Sequence, residues 1–169
     1  MIFVTVGTHE QSYDRLVKKI DTLVENGEIK EDVFIQLGYT NYKPKYCRYA
    51  QLISNDMMDD YTRNARIVIT HGGPGSIMLP FSYGKIPIVV PRQHEMGEHV
   101  DNHQVRFTQK LESQKKVLAV YNIDDLQNSI QNYDFLVKDI NCNYATNTDL
   151  FVIKLEKICD ALVKGKKKE

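Results

Sequence analysis

Apolar residues along this chain fall into two alternating kinds of segment. Uninterrupted β-branched and aliphatic runs occupy 2–6, 32–38, 66–72, 86–92 and 116–121, with no polar alternation inside them. A half-exposed strand would alternate, so these runs predict parallel strands covered on both faces. A weaker run at 50–55 predicts a sixth strand. Between the runs the apolar spacing changes to three and four. Tyr13, Leu16, Val17, Ile20, Leu23 and Val24 predict a helix that follows Ser12 as its cap and stops at Asn26-Gly27.

Further helices are predicted over 56–65, 76–85, 97–112, 124–135 and 147–165. The segment 76–85 is apolar nearly all round and is expected to be buried, with Pro80 in its early turns, where little hydrogen bonding is lost. Over 97–112, Val100, Phe107 and Leu111 form the inner stripe, and the last helix is capped near Asn147 or Thr148. Strand and helix alternate throughout, without repeat or linker. That order implies βαβ crossovers and an α/β chain built on a doubly wound parallel sheet.

Composition removes several function classes. The 169 residues fit one domain, or one half of a two-domain enzyme. Twenty-two basic residues balance twenty-two acidic ones, so no global field draws in nucleic acid or anionic lipid. Only the tail 164–168, "KGKKK", is locally basic, and a solvated terminus accounts for it. Cys47, Cys142 and Cys159 are odd in number and lack zinc-ribbon spacing, which favours a reducing, cytoplasmic setting over a disulfide framework. No signal-peptide pattern opens the sequence and no run reaches membrane-spanning length, so membrane contact is expected only through a partner.

In a doubly wound sheet, ligands collect outside the carboxyl ends of the strands. Two loops are suited to that place: "GTHEQS" from Gly7 to Ser12, and "HGGPGS" from His71 to Ser76. Gly72, Gly73 and Gly75 allow a ligand close to the backbone, the N–H groups of the following helix point at it, and Ser76 adds a hydroxyl. A phosphate or diphosphate is the natural occupant. The loop is neither a Walker A motif nor a G-x-G-x-x-G fingerprint. A tight turn that binds nothing is the plainer alternative.

A third cluster, 91–104, gathers Arg92, Glu98, Asp101, Asn102, His103 and Gln104 just after a strand end. His103 and Gln104 fall on the predicted inner stripe, and the density of polar groups points to recognition of sugar or ribose hydroxyls. His99 and His103, four apart with Glu95 and Glu98 nearby, raise a metal site. The pattern is not H-E-x-x-H and no third ligand on another element is identified, so no metal or other cofactor is expected. Neither a G-x-S-x-G elbow nor a Cys beside a His supports nucleophilic catalysis.

The stretches "VTVGTHEQSYDRLVKKID", "VFIQLGYTNYKP", "ITHGGPGSIM", "GKIPIVVPR" and "GEHVDNHQVRF" resemble the sugar-nucleotide-binding subunits of two-part bacterial polysaccharide glycosyltransferases. These are similar to the cytosolic subunit of the dolichol-linked N-acetylglucosaminyltransferase and to the C-terminal half of the lipid II-forming family. The resemblance implies a Rossmann-like C-terminal half of a GT-B enzyme, spanning 1–145, with 146–169 as a helix and basic tail for partner docking. It implies a UDP-sugar donor held by Gly72, Gly73, Gly75 and Ser76, bordered by Gly7 and Thr8, with His103 and Gln104 reading the sugar. A membrane-anchored partner would hold the lipid-linked acceptor for capsule or exopolysaccharide synthesis, and would carry the general base, for which His9 is a weak candidate here.

One position departs from that resemblance. Relatives carry Asp or Glu three residues after the loop Ser/Thr to grip the ribose, and this chain has Leu79, leaving Glu98 or Glu95 as substitutes. The departure favours a second reading, a non-catalytic stabiliser of a membrane glycosyltransferase. The last helix carries more apolar positions than one packing stripe needs, so it is either core or docking surface.

Overall fold

A computed structural model describes residues 1–138, 140 and 148–165. Its centre is a six-stranded, fully parallel sheet in the order β3-β2-β1-β4-β5-β6. The strands are β1 (Ile2–Thr5), β2 (Val33–Gln36), β3 (Arg48–Ala50), β4 (Ile67–Thr70), β5 (Ile88–Val89) and β6 (Leu118–Ala119). Around them lie α1 (Asp14–Glu25), α2 (Asn55–Asn64), α3 (Pro74–Ser82), α4 (His103–Ser113), α5 (Leu126–Gln131), α6 (Tyr133–Leu136) and α7 (Thr148–Gly165). Strand order reverses between β1 and β4, where Thr5 sits opposite Thr70. The crevice of such a sheet opens at that reversal.

Both faces of the sheet are covered, as the unbroken apolar runs require. Ile2, Val4, Ile67, Ile69 and Ile88 face α1, whose Leu16, Val17, Ile20 and Leu23 are buried at the predicted spacing. Phe3, Phe34 and Val68 face the other way, and Tyr61 of α2 stacks on Phe34 with ring centroids 4.0 Å apart. Helix α1 ends as expected, with Gly27 following at φ +69°.

Four expectations shift by a turn or less, and one by more. Ser12 does not cap α1; Tyr13 occupies the N-cap position without a side-chain cap bond, while Ser12 Oγ donates to Asp14 Oδ1 at 2.5 Å. The sixth strand is 48–50 rather than 50–55, because Ser54 caps α2 by accepting from the Met57 N–H at 3.2 Å. Helix α3 starts two residues early, at Pro74, so Pro80 lies in its interior and only Ile77, Pro80 and Phe81 are buried. The expected helix 124–135 is broken at Asn132 into α5 and α6. The largest change is in 97–112: α4 begins only at His103, Gly97 takes φ +69°, and Val100 is 65% exposed.

The segment before β3 hangs on a carboxylate that periodicity did not single out. Asp21, in the middle of α1, is 1% exposed and accepts from the N–H groups of Lys45, Tyr46 and Cys47 and from the Tyr42 hydroxyl at 2.7–3.1 Å. Three backbone amides and a phenol thus satisfy one charge. Asp21→Asn, which removes the charge and turns one acceptor into a donor, is expected to cost about 2–3 kcal/mol in urea unfolding. A loss below about 0.5 kcal/mol would show that water serves the 42–47 segment equally well.

Candidate functional site

Loops leaving the adjacent strands β1 and β4 meet at the sheet's reversal point and wall a cleft of about 320 Å³. Gly7 and Thr8 line one side, His71, Gly73, Gly75 and Ser76 the other, and Leu52, Ile53, Asn55 and Met58 the mouth beside α2. The structure therefore brings together Gly7, Thr8, His71, Gly73, Gly75 and Ser76 of the loop residues that the sequence marked, and leaves Gly72 and His9 outside the lining. Gly72 lies just behind that lining at φ +88°, where a Cβ would press at 3.3 Å on Pro91 and Gln104.

Helix α3 aims its positive end into this cleft. Its N-cap is Gly73, no side chain caps it, and Pro74 at the first position has no N–H to offer. The next amides, at Gly75 and Ser76, belong to the first turn, which has no intrahelical acceptors. Negative charge is favoured here by both dipole and donors.

The glycines answer two different demands. A Cβ on Gly7 or on Gly73 would lie 2.5 Å from the His71 imidazole, so both are glycine because that ring fills the space between them. Gly7 also has φ +75°. Gly75 differs, for a Cβ there would meet no protein atom, and the residue lines the open cleft. Packing within the described residues therefore does not require glycine at that position.

His71 is 7% exposed, and burial, helped by the Arg92 cation, pushes its pKa down to about 4. The ring is therefore neutral near pH 7, and its Nδ1 is buried without a hydrogen bond of ordinary geometry. Sequence reading missed two residues that support this arrangement. Gln36 accepts from Thr5 Oγ1 at 2.7 Å and donates to the carbonyl oxygens of Gly7 and Gln51, fixing the first loop. Gly38, at φ +53°, passes so close to the Gly7 oxygen that no side chain fits.

Arg92 and Glu98 are not brought to the cleft. Arg92 has no exposed surface, and its guanidinium donates to the carbonyl oxygens of Gln11, Glu98 and Val6 at 2.6, 3.0 and 2.9 Å. Glu98 takes a two-pronged bond from Arg15 at 2.8 and 3.0 Å and one from the Gln93 N–H at 3.1 Å. Glu95 is taken by Asn102, which also accepts from the His94 N–H. Among the described residues no acidic side chain lines the cleft, so neither Glu95 nor Glu98 stands where Leu79 leaves a gap.

The expected pair His103 and Gln104 separates. Gln104 is buried behind Gly72, accepting from the Arg92 N–H at 3.3 Å, whereas His103 is half exposed and its Nδ1 lies 2.5 Å from Asp101. The cause is the late start of α4, which turns its first residue outward. His9 bonds Gln11 at 2.9 Å and stacks on His99 rather than facing the cleft.

A histidine whose pKa is depressed by folding stabilises the native state fully above its unfolded value of 6.5 and less as pH falls toward 4. His71 thus contributes up to about 3 kcal/mol that acid removes across that window. In His71→Asn the stability curve between pH 6.5 and 4 should be shallower than in the parent chain, measured by urea unfolding at each pH. Parallel curves would mean that His71 does not titrate as its burial requires.

Comparison with known proteins fits this geometry. A sequence model of the Glycosyltransferase family 28 C-terminal domain matches residues 1–154. Among solved structures, the glycotransferase of kitacinnamycin superposes with a TM-score of 0.59 at 15% identity, over 82% of this chain and 35% of that one. The glycosyltransferase SnogD from Streptomyces nogalater aligns at 16% identity and TM-score 0.46, over 90% of this chain and 43% of that one. The chain thus spans less than half the length of either protein. No curated protein matches the sequence. The chain belongs to the glycosyltransferase family 28 C-terminal domains, and its sheet is that of a Rossmann-like GT-B half.

Proposed function

We propose that this chain is the donor-binding half of an inverting, UDP-sugar-dependent hexosyltransferase whose acceptor half is a separate membrane-anchored polypeptide. The carrying observation is the uncapped start of α3 in the cleft, beside a glycine, Gly75, that packing does not require. Family membership supports the transferase reading. In this reading the Gly75 and Ser76 amides and the Ser76 hydroxyl receive the donor's diphosphate. An acceptor oxygen bonds to the anomeric carbon as that carbon's bond to the diphosphate breaks, and UDP leaves with both electrons of that bond. The helix end takes up the charge that develops on the leaving oxygen. The acceptor's proton passes to a base on the partner, since among the described residues no carboxylate lines this half of the cleft.

The surface of α7 supports the division into two chains. Every residue from 151 to 160 is exposed, including Phe151 at 62%, Ile153 at 48% and Ile158 at 57%. That disfavours the plain-core reading of this helix. Among the described residues, no helix is long and apolar enough to cross a membrane, so a docking role for α7 would bring the chain to the bilayer's inner face through its partner. Lys166 to Lys168 of the basic tail, and Cys142, lie outside the described residues. Capsule or exopolysaccharide synthesis with a lipid-linked acceptor is the setting this reading fits.

Leu79 and the acid-free cleft favour a second reading, a stabiliser of a membrane glycosyltransferase that binds no nucleotide. Calorimetry with UDP on the chain and partner together separates the two. Gly75→Val is the informative variant, because a Cβ at Gly75 meets open space where one at Gly73 would strike His71. Binding is expected to weaken at least about ten-fold with no fall in melting temperature. Undetectable UDP binding by the unaltered complex would establish the stabiliser instead. Truncation after Asn147 should leave a folded domain by circular dichroism that no longer co-purifies with the partner. Retained co-purification would place the docking surface elsewhere.

A further inference from the structure

Five histidines occur in this chain, and four of them, none in the lining of the cleft, gather around His99. The His99 ring stacks on His9 with centroids 4.4 Å apart and stands edge-on to His103 at 4.5 Å; His94 Nδ1 lies 3.1 Å from the His99 carbonyl oxygen. Between two of them sits a carboxylate. Asp101 Oδ1 is 3.5 Å from His99 Nδ1 and 2.5 Å from His103 Nδ1, and the three groups' ligand atoms all lie within 4.8 Å of one another. The spacing reads H-x-D-x-H. Helical periodicity left His99 and His103 without a third ligand; the unwound turn before α4 supplies it by folding Asp101 back between them.

Two features separate this cluster from ordinary surface polarity. Among the described residues, the ion-pair partners of Asp101 are these two imidazoles, with no Lys or Arg in range, so its charge is unmatched when both rings are neutral. His99 is only 8% exposed and stacks on His9, whereas Asp101 and His103 are exposed, with the His103 N–H donating to Asp101 Oδ1 at 3.0 Å and the Asp101 N–H to His99 Nδ1 at 3.4 Å, so that the exposed side chains can adjust about a fixed backbone. One fixed and two adjustable ligands can close on an ion. Ligand atoms about 2.0–2.1 Å from a tetrahedral zinc are about 3.4 Å from each other, which the His99–Asp101 separation of 3.5 Å already meets. His103 has to retreat from Asp101 by about 1 Å, and its exposure permits that.

We propose that His99 Nδ1, the Asp101 carboxylate and His103 Nδ1 form a binding site for a divalent transition-metal ion of the zinc class, with the remaining position left to water. Two imidazoles with one carboxylate suit such ions, while magnesium and calcium take oxygen ligands. The ion would pin the 97–102 turn to the start of α4. Donor binding at α3 does not depend on it.

The test uses the full-length chain without a histidine tag, freed of metal by chelator and titrated calorimetrically with zinc chloride at pH 7.5. One saturable site is expected, with a Kd on the order of 1–10 μM, and none for magnesium. Cobalt chloride should produce a visible d–d absorption band that zinc abolishes. D101N and H103Q should each weaken zinc binding at least about ten-fold, and H94Q, outside the three ligands, should leave it within about two-fold. No saturable zinc uptake, uptake indifferent to D101N and H103Q, or equal loss in H94Q would each overturn the assignment. Nucleotide is absent throughout, so failure here leaves the donor-binding reading intact.

Discussion

A guanidinium sealed from water holds the working end of this molecule together. Arg92 follows β5 and reaches back to the carbonyl oxygens of Val6 and Gln11 in the first loop and of Glu98 in its own. Its plane lies over the Tyr13 ring at 4.7 Å, and the Tyr13 hydroxyl in turn donates to the Val90 carbonyl at 2.7 Å. Both terminal guanidinium nitrogens are met by these carbonyl oxygens, while Nε is buried without a hydrogen bond among the described residues, so the Arg92 charge is held by bonds that tie two distant loops into one conformation. Arg15 and Glu98 continue the network toward the surface. The cleft inherits its rigidity from this bracket: the strand of chain carrying Gly7 cannot move without breaking charge-assisted bonds.

Within that frame, His71 decides where glycines must stand. Its ring occupies the volume between the β1 and β4 loops, which makes Gly7 and Gly73 packing necessities, and Gln36 secures the Gly7 carbonyl from below. The phosphate-loop appearance of 71–76 thus has a double origin. Part of it is steric and internal, and only Gly75, with the uncapped amides beside it, has no such internal reason. A glycine cluster is a stronger pointer to a binding site where, as here, the steric share can be subtracted.

Two surfaces among the described residues are incomplete by themselves. The cleft has donors for an anion but no carboxylate to act as base, and α7 carries exposed apolar side chains that nothing in this chain covers among the described residues. Both deficits are of the kind that a second polypeptide would meet. The histidine-rich turn before α4 stands apart from them, built from neighbours in sequence and steadied by His9 from the first loop.

By itself the sequence determined the elements that depend on adjacent residues: the unbroken apolar strands, the period of α1 and its stop at Gly27, and the glycine loop at the end of β4. Those features come from local sterics and from the difference between periods of two and 3.6, which a short window contains. Tertiary structure decided the fates of polar residues at element boundaries. Arg92 became a bracket because its acceptors lie up to 86 positions away, and His103 turned outward because α4 begins where Gly97 and Asp101 allow rather than where Val100 suggests. Gly38 and Gln36 showed no local signal, since what makes them necessary is the Gly7 carbonyl, near in space and about thirty residues off in sequence. A buried polar group must find its partners wherever the fold puts them, and that search is long-range by nature.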